Sequence, residues 1–135
     1  KKKKNTDNII SMIAAGTITE FAVVSLDTNG KAVVATAGTD FKVIGVAQRG
    51  ASAGDAVDIL VHGITRVIAG EAITFATTPI LSATTAGKVQ ACITSGGSAD
   101  TTFYPIARAL PNINQKVVAD GEQFFALFTG PMSLV

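Results

Sequence analysis

The amino-acid sequence predicts an all-β fold: a small β-barrel or β-sandwich of short antiparallel strands, with an internal duplication and an extended N-terminal arm. Short apolar runs recur about every ten residues between Gly, Asn, Asp and Thr, as expected for strands joined by tight turns. Thr, Ser, Ala, Gly and Val are abundant, whereas strong helix formers are sparse and helical periodicity is weak. A comparison of the chain with itself also shows a repeat, which identifies the structural unit.

The length and composition fit one domain with a nearly neutral surface. With 135 residues, the chain has the usual size of a single compact domain. Hydrophobic residues make up 47% of it and charged residues 16%, below the roughly 25% of typical soluble domains. A surface with so few charges suits a protein that packs against other proteins.

The apolar runs predict nine strands. They cover residues 18–26, 31–35, 42–48, 56–61, 64–68, 80–82, 88–93, 104–110 and 123–129. Asp27-Thr28-Asn29-Gly30 is the strongest hairpin turn, because Asn and Gly tolerate the positive φ of a reversing turn. Residues 94–100 are rich in Gly and Ser and are predicted to form an exposed loop, and residues 111–116 a second irregular connection.

The repeat consists of matched turn and strand positions. The first copy has Ser25, Gly30-Lys31, residues 44–48, Gly54 and Gly63, and the second has Ser82, Gly87-Lys88, residues 106–110, Gly121 and Gly130. The Ser-to-Gly spacing is five residues and the last Gly-to-Gly spacing is nine in both copies. Gly54 and Gly121 are each followed by an acidic residue and so form Gly-acid pairs. Gly-Lys and Gly-acid pairs are common in turns, so their agreement between the copies could arise by chance. Two preserved spacings favour duplication followed by drift in the connecting loops.

Residues 1–16 are predicted to form a basic, extended arm ahead of a single β domain at residues 17–135. Four of the eleven basic residues are Lys1, Lys2, Lys3 and Lys4, so the rest of the chain is mildly acidic. A short lysine run is typically a solvated tail, and a contact with nucleic acid or membrane is the less frequent alternative. The apolar residues of the arm, which are predicted to add as a strand to a sheet edge on a partner, are Ile9, Ile10, Met12 and Ile13.

The inventory of reactive side chains predicts no enzyme, no cofactor and no metal site. His62 is the sole histidine and is predicted to lie at the surface; Cys92, the sole cysteine, is predicted to be a small buried hydrophobe. Asp55 and Asp58 would point to opposite faces of one strand, which disfavours paired-carboxylate chemistry. No apolar run approaches the roughly 18 residues of a membrane-spanning helix, and no basic surface predicts specific nucleic-acid binding.

The last predicted strand carries apolar residues on both faces. Such a pattern is typical of a strand that is buried on both sides, at a subunit interface or in the centre of a sandwich. The residues that we therefore expect at a subunit or partner contact are Phe124, Phe125 and Phe128.

An ordered series of turn and core residues resembles a known family. The series comprises residues 21–25, Gly30-Lys31, residues 43–47, residues 54–59, Gly63 and residues 87–89. It resembles the small cement (decoration) proteins of bacteriophage capsids, over roughly residues 17–129. The lysine-rich start and residues 94–100 depart from that family's pattern.

The resemblance implies a structural role on the outer surface of a virion. Its members are compact β proteins, usually trimers, that bind the major capsid protein on the outside of the head and stabilise the shell. In this chain the implied contacts would lie in the basic arm and the last strand. The alternative from another class is a virion-displayed module that binds carbohydrate or the host surface.

Overall fold

The structure is a computed structural model that describes residues 8–92, 104–112 and 114–131. Its strands are β1 (Ile9–Ile13), β2 (Val23–Leu26), β3 (Ala32–Val34), β4 (Val43–Ala47), β5 (Ala56–Leu60), β6 (Gly63–Ile68), β7 (Ile73–Thr74), β8 (Ile80–Ala83), β9 (Val89–Ala91), β10 (Ala107–Ala109), β11 (Val117–Val118) and β12 (Gln123–Phe128). A short 3-10 turn spans Thr85–Gly87. The predicted all-β class is confirmed, as a sandwich-like arrangement of antiparallel sheets.

The two five-stranded sheets have the same strand order. The first runs β1-β5-β4-β2-β3 and the second β6-β12-β10-β8-β9. Each strand of the first sheet therefore has a counterpart at the same place in the second, which confirms the predicted duplication. We call β1–β5 the first repeat and β6–β12 the second repeat.

Strand register and turn conformation agree between the repeats. In the first hairpin Val24 pairs with Val34, and at the corresponding position Leu81 pairs with Ala91. The turn glycines of these hairpins have the same left-handed conformation, with φ of +79° at Gly30 and +73° at Gly87. The Asn-Gly turn predicted from sequence is thus present, and its second copy is built on the 3-10 turn.

The Gly-acid turns are also duplicated in atomic detail. The carboxylate of Asp55 accepts a hydrogen bond from the backbone N–H of Ser52 at 3.1 Å. In the second repeat the carboxylate of Glu122 accepts one from the N–H of Ala119 at 2.7 Å. The acid closes the turn on its own backbone, which explains why both copies keep a carboxylate after the glycine.

The predicted arm is corrected from residue 9 onward. β1 pairs with β5 along its whole length, and Ala14 is fully buried, with its N–H donating to Asp55 O at 2.8 Å. The apolar segment therefore adds to the first sheet of its own chain and not to a sheet on a partner. It corresponds to β6 of the second repeat. The domain therefore includes β1, while Lys1–Lys4 lie outside the described residues.

The repeats share a core. A cluster inside the first repeat includes Ala14, Ile18 and Ile59. The larger cluster fills the second repeat and also contains Val23 and Val46 from the first. The opposite face of the first sheet is therefore buried against the second repeat.

The predicted strands agree with the structure apart from short or irregular segments. β7 and β11 have two residues each and were not predicted. The predicted strand at residues 104–110 is regular at Ala107–Ala109. The predicted loop at residues 94–100 lies outside the described residues.

Replacing the two equivalent buried serines is expected to give different effects on stability. Ser25 Oγ donates to Asp40 Oδ2 at 2.6 Å, so Ser25→Ala is expected to lower the free energy of unfolding by about 1 kcal/mol. Ser82 is fully buried and its Oγ has no hydrogen-bond partner within the described ranges. Ser82→Ala is therefore expected to be neutral or stabilising. Urea unfolding of both variants tests this, and equal losses would contradict it.

The two hairpin glycines provide a second matched pair. Alanine at either position is strained by the positive φ, at a cost of about 1–2 kcal/mol. A Cβ at Gly87 would also lie 2.7 Å from Ala22 Cβ, whereas one at Gly30 would meet nothing within 4 Å. Gly87→Ala is thus expected to destabilise more than Gly30→Ala, by at least about 1 kcal/mol. Thermal unfolding measures the difference, and indistinguishable variants would show that the repeats do not pack closely here.

Candidate docking surfaces

The reactive side chains singled out from the sequence are not brought together. His62 is exposed at the β5–β6 connection, whereas Cys92 is fully buried after β9. Asp55 closes a turn, and Asp58 is half-buried on β5. Among the described residues there is no group of His, Cys, Asp and Glu that could hold a metal ion. None of the helical segments in these ranges could cross a membrane.

A polar cleft of about 320 Å³ lies beside the first hairpin. Two of its carboxylates already hold the local backbone: Asp27 Oδ1 accepts from the N–H groups of Asn29 and Lys31, and Asp40 Oδ1 from that of Lys42. Phe41, the residue after Asp40, is 67% exposed and contacts Tyr104, with ring centroids 6.4 Å apart. The polar groups are thus used for turn formation, which is a structural role.

The β1 side of the first sheet carries a row of exposed apolar residues. Ile9, Ile10 and Ile13 of β1 are each about 40% exposed, whereas Met12 packs on the core of that repeat. We call β1, with the side that faces away from β5, the β1 edge. It brings together the four apolar residues that were predicted as contacts.

The hydrogen-bond pattern shows which backbone groups of the β1 edge are available. Asn8 O accepts from Val61 N–H at 2.7 Å, and Ala14 N–H donates to Asp55 O. Since alternate residues of an antiparallel strand face the same neighbour, the intervening residues Ile9, Ser11 and Ile13 direct their N–H and C=O groups away from β5. Within the described ranges that side is paired at its C-terminal end alone, where a parallel bridge joins Ala14 to Ala32 of β3 and Ala15 N–H donates to Ala32 O at 2.7 Å.

The equivalent strand of the second repeat is protected differently. Ser11 on β1 and Arg66 on β6 occupy equivalent positions in the two repeats. Ser11 pairs with Asp58 of β5, and Arg66 pairs with Phe125 of β12. The Arg66 guanidinium lies 5.0 Å from the centroid of the Phe125 ring, in cation–π geometry. Charged residues on edge strands discourage pairing with another chain. β6 has such a residue at the centre of its edge and β1 does not.

The outer face of the second sheet is a second exposed apolar surface. Phe125 and Leu127 of β12 are half-buried there, beside Ile64, which is 65% exposed. Arg66 and Arg108 are both exposed on the same face. Aromatic, aliphatic and arginine side chains together are the composition enriched at protein interfaces. The sequence does not predict these arginines as surface contacts, because their position beside Phe125 depends on strand register.

The three predicted phenylalanine contacts separate into two groups. Phe125 lies on the outer face, as an interface residue would. Phe124 is 3% exposed and Phe128 fully buried, and both belong to the core of the second repeat. The prediction that they form a contact is corrected, because their side of β12 faces inward.

Comparisons with known proteins give a fold relationship. No family model and no curated protein matches the chain. Among solved structures it is similar to the crystal structure of the N base of head fiber gp8.5 in bacteriophage phi29, with a TM-score of 0.64 and 14% sequence identity. The match covers 92% of this chain and 96% of that one. The two proteins share their fold over nearly their full lengths.

Adjacent phenylalanines on β12 test the assignment of its faces. Phe124→Ala removes a core ring packed 5.6 Å from Phe75, so a loss of about 3–5 kcal/mol in unfolding free energy is expected. Phe125→Ala is expected to cost about 1 kcal/mol, mainly through the lost contact with Arg66. Chemical denaturation measures both, and a larger loss for Phe125→Ala would reverse the assignment.

Proposed function

We propose that this chain is a structural cement (decoration) protein that binds the outside of a bacteriophage head and stabilises its shell. The observation that carries the proposal is the fold shared, over nearly the whole chain, with the base of a phage head fiber. The residue series that resembles capsid cement proteins supports the same location on different grounds. Its partners are the major capsid protein and further copies of itself, with a trimer as the expected oligomer.

The β1 edge is the surface we assign to docking on the shell. Its outward backbone groups at Ile9 and Ser11 can accept a strand of the capsid protein, and the Ile9 and Ile13 side chains can cover apolar side chains of that strand. Lys1–Lys4 precede β1 in the sequence, separated from it by four residues. A basic segment at this end favours an acidic surface beside the partner strand.

Stabilisation of the shell follows from linkage. A protein that binds the assembled shell and not its free subunits stabilises the assembly by RT ln(1 + [L]/Kd), about 4 kcal/mol per site at a thousandfold excess over Kd. An oligomer that engages several sites at once gains further from its effective local concentration. Neither effect needs a catalytic residue.

Proline at the centre of the β1 edge tests this docking mode. The N–H of Ser11 points away from β5, so Ser11→Pro removes a group available to a partner strand and leaves the β1–β5 hydrogen bonds in place. We expect a folded protein whose occupancy on purified heads of its phage falls at least about tenfold, the equivalent of 1.4 kcal/mol. Co-sedimentation measures occupancy, and circular dichroism checks the fold.

Ser11→Ala is the matched control, because it removes the hydroxyl and keeps the N–H. Its occupancy is expected to equal that of the wild type. Equal occupancy of Ser11→Pro would contradict docking through this edge. Failure of the wild-type chain to bind the heads would overturn the proposed function itself.

A further inference from the structure

The contact between the two repeats is formed by different surfaces of each. The first repeat contributes the outer face of its sheet, where Val23 and Val46 are fully buried. The second repeat contributes its hairpin turn, where Gly87 N–H donates to Ala35 O at 2.8 Å. It also contributes β6, where Thr65 Oγ1 accepts a hydrogen bond from Gln48 Nε2 at 3.0 Å. The contact is therefore heterologous, or head to tail.

Each repeat consequently has one of these two surfaces with no partner among the residues that the structure describes. We define the tail face as the surface of the second repeat that corresponds to Val23, Val46 and Gln48. Strand register assigns these three counterparts as Ile80, Arg108 and Leu110. Val23 and Val46 are fully buried, whereas Ile80 is half-exposed and Arg108 exposed.

We define the head face as the surface of the first repeat that corresponds to Gly87 and Thr65. Its counterparts are Gly30 and Ile10. Thr65 is 5% exposed, but Ile10 is 41% exposed. Space within 4 Å of a Cβ built on Gly30 is open, whereas Gly87 is packed against Ala22 and Val23. The first repeat thus presents a turn of the same shape on which no described residue packs.

We propose that the head face of one chain binds the tail face of a second copy, and so continues between chains the contact that joins the two repeats within each chain. Ile10 of one copy then lies against Leu110 of the next, as Thr65 lies against Gln48 internally. The Gly30 turn approaches Ile80, as the Gly87 turn approaches Val23. The occupant is a second copy because the counterparts of these two surfaces already bind each other inside the chain.

The chemistry of the corresponding pairs supports this assignment. The internal pair, Gln48 and Thr65, is polar and hydrogen-bonded. The pair left over, Ile10 and Leu110, is apolar on both sides, and each member retains exposed surface. Burying Ile10 against Leu110 removes apolar surface from water, which favours the contact. Neither residue would stabilise a contact with a polar group such as that of Gln48 or Thr65, because the polar group would lose its hydrogen bonds to water. The aliphatic part of Arg108 can cover Ile80 while its guanidinium stays in water.

A head-to-tail contact has a consequence for assembly. Each added copy leaves one head face and one tail face open, so the chains form a closed ring if the rotation between them closes, and an open filament otherwise. A ring would present the β1 edges of its copies at regular intervals. The head-to-tail contact rests on the self-association in the proposed function and specifies the surfaces that form it, and it can be tested on purified protein alone.

Disulfide cross-linking between separate variants distinguishes this contact from a two-fold one. Ile10→Cys and Leu110→Cys are made in different chains, each with Cys92→Ala to remove the natural thiol. Oxidation of their mixture is expected to yield a covalent species of twice the 13.8 kDa chain mass. Each variant alone is expected to give none. The control mixture contains Ile10→Cys and Val117→Cys. The proposal would be overturned if either variant linked to itself. It would also be overturned if the test mixture gave no more covalent product than the control mixture.

Loss of assembly provides the second measurement. Ile10→Asp and Leu110→Asp are each expected to reduce the wild-type mass in light scattering to that of one chain. Val117→Asp is the matched control, because Val117 is 59% exposed on β11, which contributes no residue to either face, and it is expected to keep the wild-type mass. A wild-type chain that is monomeric at its highest soluble concentration would overturn the inference. An assembled oligomer that does not bind phage heads would instead defeat the proposed function.

Discussion

The packing of the first sheet's outer face against the second repeat is the constraint on which the rest of the structure depends. A unit of about 60 residues buries too little of its surface to be comfortably stable on its own. Here Val23 and Val46 extend the core of the second repeat, and the backbone at Gly87 comes close enough to exclude a side chain. One face of the first sheet encloses its own cluster and the other joins the repeats, so both faces of these strands are apolar.

The two repeats have the same topology, but equivalent positions are buried to different extents, and this difference explains why their residue types have diverged. At the positions that meet inside the chain, the first repeat has valine where the second has Ile80 and Arg108. On the edge strands, Ser11 of β1 stands where Arg66 of β6 stacks on Phe125. Polar and charged residues have accumulated where the second repeat meets water. A binding partner would explain the apolar residues that persist on exposed surfaces, those of β1 among them.

Much of the fold could be predicted from the sequence because short strands and their turns are specified locally. Asn29-Gly30 and the Gly-acid pairs predict the hairpins, and their spacing alone indicates the duplication. The sequence predicts an arm in place of β1 because the partner strand, β5, is more than 40 residues away in the chain and no local pattern connects the two. The contrast between Phe124 and Phe125 was also out of reach, since a strand with apolar residues on both faces does not show which face is inward. Strand register supplies that information.

The unprotected β1 edge connects the fold to the proposed role. An open edge with exposed isoleucines is a hazard for a protein that stays monomeric, because any extended segment can pair with it. The protein limits this hazard at β6 with an arginine and keeps β1 short, at five residues. A short edge gives few backbone hydrogen bonds to a single partner strand, so one docking event is weak. Repeated edges on an assembly bound to a repeated shell convert weak contacts into firm attachment, which favours binding to the lattice over binding to a free subunit.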